Sequence, residues 1–282
     1  MRTMSLTADA PVVVGVDDSP QSLTAVRLAA HEAAAHQRPL RIVHAFNWIA
    51  DPSAPIEGEL REPAERILNQ AAQVATESEP VLRLTCALIE GPALTTLLRE
   101  SGSAALLVLG DGGLSGQTAV PIEAISVQIA ARAGCSVLVA RENLPPPAPV
   151  LVGIDCGAGT STALDFAFDA AATRDSELVV LRVWEADDPS EEPDPSIARQ
   201  LAETVAPWQE RYPAVRVTQQ VRSGESKHLL IEASRTAELV VVSMRGEQPS
   251  RSMLGALSQT LLYHSPAPVV IVRTAHELYI QA

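Results

Sequence analysis

The chain has 282 residues, of which 46% are hydrophobic and 20% charged, a balance that suits a globular protein with enough apolar material for two domains. Its net charge of −13 argues against binding to DNA, RNA or an anionic membrane surface, because a phosphate backbone needs a basic face. Three widely spaced cysteines, no signal-peptide pattern in residues 1–10 and no apolar run of about 18 residues lead us to expect a soluble protein of the cytoplasm.

Short β-rich runs alternate with helical patterns along the first half of the chain. The apolar run Val12–Val16 predicts a strand buried on both faces. Apolar residues then recur at helical spacing from Leu23 to Ala34. Further strands are predicted at Arg41–Phe46, Val81–Leu88, Ala105–Leu109 and Ser136–Ala140, and further helices at Pro63–Glu77, Pro92–Ser101 and Ile122–Ala133.

The second half repeats this order, because three blocks of the first half return at a near-constant offset. They pair residues 12–17 with 150–155, 91–113 with 224–246, and 122–124 with 254–256. Such a repeat indicates duplication of one domain. The corresponding strands are predicted at Val150–Ile154, Leu178–Val183, Val215–Val221, Leu239–Val242 and Val269–Val272.

Five strands alternating with four helices predict an α/β fold, a doubly wound, five-stranded parallel sheet in each half. We place the domains at residues 1–144 and 150–282. Residues 145–149 join them, and their prolines favour a short, stiff linker. In such sheets a ligand binds beyond the carboxyl ends of the strands, where the strand order reverses. The expected sites therefore follow the strands that end at Val16, Leu109, Ile154 and Val242.

The first candidate site is the segment Gly15–Ser19 at the end of the first strand. Glycine leaves room for a close approach to the backbone, and the Asp17 carboxylate can accept hydrogen bonds from a ribose or an adenine amino group. The alternative is a helix cap, which is the more frequent role for residues of the type of Asp18 and Ser19.

The second candidate is the glycine-rich segment Gly110–Gly113, which follows a buried strand and precedes a helix. Its backbone N–H groups and the helix N-terminus together form an anion site that needs no lysine. The alternative is a plain turn, since glycine is common in turns.

Two stretches of the chain resemble the universal stress protein family in its tandem, actinobacterial-like form. They are Val-Gly-Val-Asp-x-Ser at residues 14–19, and the closing segment with Ser243–Gly246, Leu254–Gln259 and His264–Arg273. The resemblance implies a Rossmann-like fold of the adenine nucleotide alpha hydrolase type. It also implies binding of ATP, with or without Mg²⁺, and a role in stress response or growth regulation.

The ATP-binding members of that family hold the nucleotide with the first-strand aspartate and a loop of the form glycine, two residues, glycine, nine residues, glycine with serine or threonine. The resemblance therefore implies cofactor-binding roles for two sets of residues. They are Gly15, Asp17, Gly110 and Gly113 in the first copy, and Gly153, Asp155, Arg245, Gly246, Gly255, Ala256 and Leu257 in the second.

Both copies depart from this pattern. In the first, Glu123 replaces the last glycine, and its charge, with Asp111 nearby, would repel phosphate. In the second, Ser243 replaces the first loop glycine and Ala256 replaces the hydroxyl residue. We therefore expect ATP to favour the second copy.

Other conspicuous residues have plainer interpretations. Ser223–Lys227 lacks the order of a phosphate loop and is interpreted as the start of a surface helix. His44 and His264 are interpreted as structural. Phe46 and Trp184 end their strands, where packing is the default role and adenine stacking the alternative.

Three functions compete. The leading hypothesis is a nucleotide-binding module that does not catalyse rapid hydrolysis and is not an enzyme. The alternative is an ATP-independent protein with degenerate pockets that acts through protein–protein interaction. The edges of the last strands of each half would then pair the two halves with each other or two chains as a homodimer. An adenylating enzyme is disfavoured, because the Ser-Gly-Gly-x-Asp-Ser loop is missing after both first strands.

Overall fold

A computed structural model describes residues 9–46, 57–112, 124–142, 146–157, 159–184, 194–244 and 254–273. These residues form two compact units, unit 1 up to residue 142 and unit 2 from residue 146. Both are α/β units built on a parallel sheet, which confirms the predicted fold class.

Unit 1 alternates five strands with four helices. They are β1 (Val12–Gly15), α1 (Pro20–Ala35), β2 (Leu40–Phe46), α2 (Glu57–Ser78), β3 (Leu84–Glu90), α3 (Ala93–Ser101), β4 (Leu106–Leu109), α4 (Ile125–Arg132) and β5 (Ser136–Val139). The strands lie in the order β3-β2-β1-β4-β5, and all neighbours are parallel.

Unit 2 has the same order of elements. They are β6 (Val150–Ile154), α5 (Thr160–Arg174), β7 (Leu178–Trp184), α6 (Pro195–Arg211), β8 (Val217–Ser223), α7 (Ser226–Ser234), β9 (Leu239–Ser243), α8 (Ala256–His264) and β10 (Val269–Val272). The strand order is β8-β7-β6-β9-β10, again parallel throughout.

In each unit the strand order reverses beside the first strand. In unit 1, β1 lies between β2 and β4, with Val12 opposite both Leu40 and Leu106. In unit 2, β6 lies between β7 and β9 in the same way. The loops after β1 and β4, and those after β6 and β9, therefore start side by side at the carboxyl edge of their sheet, as expected for a ligand site.

Small side chains bring the first helix of each unit onto its sheet. Ala25, Ala29, Ala30 and Ala33 of α1 are fully buried, as are Ala163, Ala167 and Ala171 of α5. The central strands are apolar on both faces, as befits strands covered by helices. Cores of alanine and branched aliphatic residues thus form with few aromatic rings.

The predicted start of the third strand was wrong in both copies. Val81 is 96% exposed in a turn, and β3 begins at Leu84 instead. In unit 2 the strand begins at Val217 rather than Val215. Pairing decides these bounds, because each strand runs in register with the whole of its one neighbour, up to Glu90 opposite Phe46. Hydrophobicity alone does not mark such an edge strand.

No helix within the described ranges is both long and apolar enough to cross a membrane.

Candidate functional site

Asp17 is exposed directly beyond the end of β1, at the point where the strand order reverses. Its Oδ1 accepts hydrogen bonds from the Ser19 backbone N–H, at 3.0 Å, and from the Ser19 hydroxyl. Its Oδ2 has no hydrogen-bond partner among the described residues. The turn thus fixes the carboxylate and leaves one oxygen available to a ligand donor.

The loop after β1 also closes the start of α1. Ser19 is the N-cap and accepts a hydrogen bond from the Ser22 N–H, at 3.2 Å, which confirms the helix-cap interpretation for this serine. The Ser22 hydroxyl donates to the carbonyl oxygens of Asp17 and Ser19, at 2.8 and 2.9 Å. The polar groups of this loop therefore largely satisfy one another.

A cavity of about 170 Å³ lies between this loop and α2. Its lining includes Asp17, Asp18 and Ser22 on one side, and Ile67 and Gln70 on the other. It is smaller than the roughly 300–1,000 Å³ of a whole ligand pocket, so it is large enough for only part of a nucleotide. A carboxylate lining favours groups that donate hydrogen bonds, such as ribose hydroxyls or an adenine amino group, over a phosphate.

Asp155 occupies the matching position in unit 2. It is exposed after β6, and its Oδ1 accepts a hydrogen bond from the Gly157 N–H at 2.8 Å. Cys156, between them, has a left-handed backbone with φ 59°. The aspartate turn is thus kept in both units, although the following residues differ.

Gly15 and Gly153 have a packing role that the sequence did not indicate. A Cβ placed on Gly15 would lie 2.9 Å from Leu97 of α3, and one on Gly153 would lie 2.9 Å from Leu230 of α7. Leu97 and Leu230 are themselves equivalent in the repeat, so both units use a glycine to admit the same helix side chain. A ligand-binding role for these glycines stays a prediction.

Gly110 and Asp111 follow β4, beside the loop after β1. The expectation that Asp111 would repel phosphate needs correction, because its carboxylate is fully buried and lies 3.9 Å from the guanidinium of Arg141. Burial lowers the pKa of Arg141 to about 10, and the charge of Asp111 opposes that shift. The arginine therefore stays charged at neutral pH and offsets the charge of Asp111.

Gly255, Ala256 and Leu257 lie at the start of α8. Gly255 is the N-cap, in an extended conformation with no side-chain cap, and Gly255 and Ala256 are exposed. Among the described residues, no side chain is recorded as a cap for the first-turn amides of α8, and such amides can bind an anion. Four of the residues discussed in the sequence, Gly113, Glu123, Arg245 and Gly246, lie outside the described residues.

In each unit, a residue at the end of the fourth strand contacts a residue at the start of the first helix, and one of the two is glycine. Which of the two is glycine differs between the units, and sequence reasoning missed this difference. In unit 1, Gly110 lies against Gln21, and a Cβ on Gly110 would be 3.2 Å from the Gln21 carbonyl carbon. In unit 2, serine replaces this glycine at Ser243, and glycine replaces the glutamine at Gly159. A Cβ on Gly159 would lie 2.6 Å from Ser243 Oγ. The repeat alignment contains this signal, since Gln21 and Gly159 are matched at the offset of the first block.

The remaining conspicuous residues have structural positions. His44 Nδ1 lies 2.7 Å from the Val16 carbonyl oxygen and is positioned to donate to it, in keeping with a structural histidine. Helix α7 begins at Ser226, which confirms that Ser223–Lys227 starts a helix. Phe46 and Trp184 end β2 and β7. In the described part of the chain, no cluster of three or more His, Cys, Asp or Glu side chains is arranged to hold a metal ion.

The fold and the paired aspartate turns define a class, the tandem α/β protein with a strand-end carboxylate in each half. The sequence profile described as "Universal stress protein family" matches residues 10–141 and again residues 148–273. The chain belongs to the universal stress protein family, in tandem form.

Relatives that align over nearly their whole length support this assignment. The chain is 33% identical to the universal stress protein Rv2623 of Mycobacterium tuberculosis H37Rv, over 93% of this chain and 96% of the relative. It is 34% identical, with the same coverage, to Rv2005c of the same strain. A universal stress protein from Archaeoglobus fulgidus matches in structure with a TM-score of 0.75 at 17% identity, over 95% of this chain and 98% of that one, and shows the shared fold.

Proposed function

We propose that this chain is an adenine-nucleotide-binding module, with ATP as the principal ligand, which acts in stress response or growth regulation. The observation that carries the proposal is the aspartate turn after the first strand of each unit, located where the strand order reverses. In Asp17 one carboxylate oxygen holds the loop and the other is available to donors of a ligand.

The site divides into two regions of opposite preference. The carboxylates after β1 and β6 suit ribose hydroxyls or an adenine amino group, which donate hydrogen bonds. The uncapped first turn of α8, with Gly255 as its N-cap, suits phosphate oxygens, which accept them. A nucleotide has both kinds of group, and unit 2 offers both within its described residues.

We propose that the nucleotide acts as a ligand that stabilises one conformation of the protein rather than as a substrate that turns over rapidly. A ligand that binds one conformation stabilises it by mass action. The nucleotide concentration would therefore set the fraction of the protein in the conformation that partner proteins bind. Mg²⁺ would accompany the phosphates as a counter-ion.

Calorimetric titration of the full chain with ATP and Mg²⁺ tests the proposal, with GTP as the control for the base. We expect saturable ATP binding that exceeds GTP binding, and ATP turnover far below one per second. The absence of ATP binding to folded protein at millimolar ligand would contradict the proposal and favour the ATP-independent interaction module. Rapid release of phosphate would contradict the binding role.

A further inference from the structure

The first helix starts differently in the two units. In unit 1, Ser19 caps α1 with its side chain. In unit 2 the N-cap of α5 is Gly159, and no side chain in the described part of the chain is recorded as capping the helix. The Thr160 N–H donates to the Gly157 carbonyl oxygen, at 3.1 Å, so the N–H groups left for a ligand in this first turn are at most those of Ser161 and Thr162. They lie at the positive end of the dipole of a fifteen-residue helix. A helix start alone does not define a binding site, but two nearby hydroxyls give independent evidence for one.

Thr160, the first residue of α5, has an unsatisfied hydroxyl. The residue is 5% exposed, and its buried Oγ1 has no hydrogen-bond partner among the described residues. The equivalent residue of unit 1 is Ser22, whose hydroxyl donates to two carbonyl oxygens of its loop. A buried hydroxyl without a partner is costly, so the Thr160 hydroxyl is available to a group that enters the loop.

A second hydroxyl, that of Ser243, lies near the start of α5 because residue 159 is glycine. Ser243, at the end of β9, packs so close to Gly159 that a Cβ there would lie 2.6 Å from Ser243 Oγ. A residue with a Cβ at position 159 would clash with this hydroxyl, so glycine is needed for the helix start to pack against it. Two hydroxyls and the remaining first-turn amides thus lie at the start of α5.

We propose that this loop binds a phosphate-type oxyanion at the N-terminus of α5, held by the Thr160 hydroxyl, the first-turn amides and the Ser243 hydroxyl. The site is separate from the glycine loop after β9, to which the family resemblance assigns the phosphates. In unit 1 the same place is closed by Ser19 and Ser22. The oxyanion comes either from free phosphate or from a phosphoryl group of the proposed nucleotide, and in the second case the inference rests on the proposed function.

Asp155 sets the strength of this site. Its carboxylate follows β6 in the same loop and its negative charge opposes an anion, although Oδ1 is engaged by the Gly157 N–H. The site therefore binds phosphate weakly, and Asp155→Asn tightens the binding severalfold. Cys156 in the same loop has a left-handed backbone with φ 59°, a conformation that residues other than glycine rarely adopt.

The test uses the full chain and inorganic phosphate at constant ionic strength, with binding followed by calorimetry and by the shift in Tm. The key variant is Thr160→Val, which keeps the shape of the side chain and removes the hydroxyl. We expect phosphate binding to weaken about tenfold to a hundredfold, the range for a hydrogen bond to a charged group. We expect the Tm without phosphate to stay equal or rise, because an unsatisfied buried hydroxyl has been removed.

Ser22→Ala is the matched control in unit 1. It should lower the Tm in the absence of phosphate, because the Ser22 hydroxyl makes two hydrogen bonds. The inference is overturned if the unmodified chain does not bind phosphate at tens of millimolar. It is equally overturned if Thr160→Val binds phosphate normally, or lowers the Tm without phosphate as Ser22→Ala does.

Adenosine and ATP complete the experiment. Binding of adenosine without binding of phosphate would refute this site and leave the proposed function intact. Binding of phosphate without binding of adenosine or ATP would refute the adenine site and support the anion site. If Thr160→Val weakens ATP as much as phosphate, the oxyanion is part of the bound nucleotide, whereas an effect on phosphate alone assigns the site to free phosphate.

Discussion

Single residues at the carboxyl ends of β1 and β6 carry the proposed binding chemistry. Asp17 and Asp155 each accept a hydrogen bond from an N–H two residues ahead, which holds the carboxylate at the sheet edge. Their position follows from the repeat and the strand pattern, so the sequence predicts it. The pairing of Asp111 with Arg141 cannot be predicted from the sequence in this way, because Arg141 is thirty residues further along the chain and only the fold brings it close.

The exchange of glycine between the units predicts a coupled pair of substitutions. Gly159→Ala should destabilise the protein by about 1–3 kcal/mol, because its Cβ would overlap Ser243 Oγ and Cβ. Ser243→Gly in the same chain should recover most of that loss. Denaturant unfolding of the two single variants and the double variant measures the coupling. Strictly additive effects would show that the contact is not the cause.

The buried pair of Asp111 and Arg141 predicts a large effect of breaking one partner. Asp111→Ala removes the carboxylate that pairs with the buried Arg141 charge. We expect the free energy of unfolding, measured with denaturant, to fall by about 3–5 kcal/mol. Replacing both residues by methionine should recover much of it, since two apolar side chains leave no unpaired charge buried. A loss below about 1 kcal/mol for Asp111→Ala would contradict the pairing.

The first helices of the two units differ at their starts. α1 is capped by Ser19, α6 by Asp194, and α5 and α8 have no side-chain cap. Capping residues are visible in a sequence, and Ser19 was among the predicted caps. An open helix start is harder to predict, because it depends on which groups the fold brings to the first turn. One example is the buried Thr160 hydroxyl, which has no partner among the described residues.

Asp194 predicts a pH-dependent contribution from α6. The Ser196 N–H donates to Asp194 Oδ1 at 2.7 Å, and this bond, with that of the Ser196 hydroxyl, lowers the pKa of Asp194 below its usual value of about 3.9. The stabilisation is therefore present above pH 4 and is lost as the pH falls through the lowered pKa. Asp194→Ala should lower the Tm at pH 7, with a difference that shrinks below pH 4.

Asp194→Asn is the control for this effect, because asparagine caps helices without a titrating charge. Its difference in Tm from Asp194→Ala should not shrink in acid. A difference between the unmodified chain and Asp194→Ala that is equal at pH 7 and pH 3 would mean that the ionised carboxylate does not stabilise the helix.

The two units of the molecule share one topology and differ at their loops. The duplication is visible in the sequence, since blocks of matched residues keep their order, and the fold class follows from the alternation of strands and helices. The bounds of β3 and β8 did not follow, because an edge strand is set by pairing with its neighbour. The loops diverged further, with a closed helix start in unit 1 and an open one in unit 2.

The most direct test of the central claim is the stoichiometry of ATP binding in three proteins, the unmodified chain, Asp17→Ala and Asp155→Ala, measured by calorimetry with Mg²⁺. If the strand-end aspartates hold the nucleotide and unit 2 has the stronger site, the unmodified chain binds close to one equivalent. Asp155→Ala then loses this binding and Asp17→Ala keeps it. Full ATP binding by both folded variants would contradict the assignment of the nucleotide to these carboxylates.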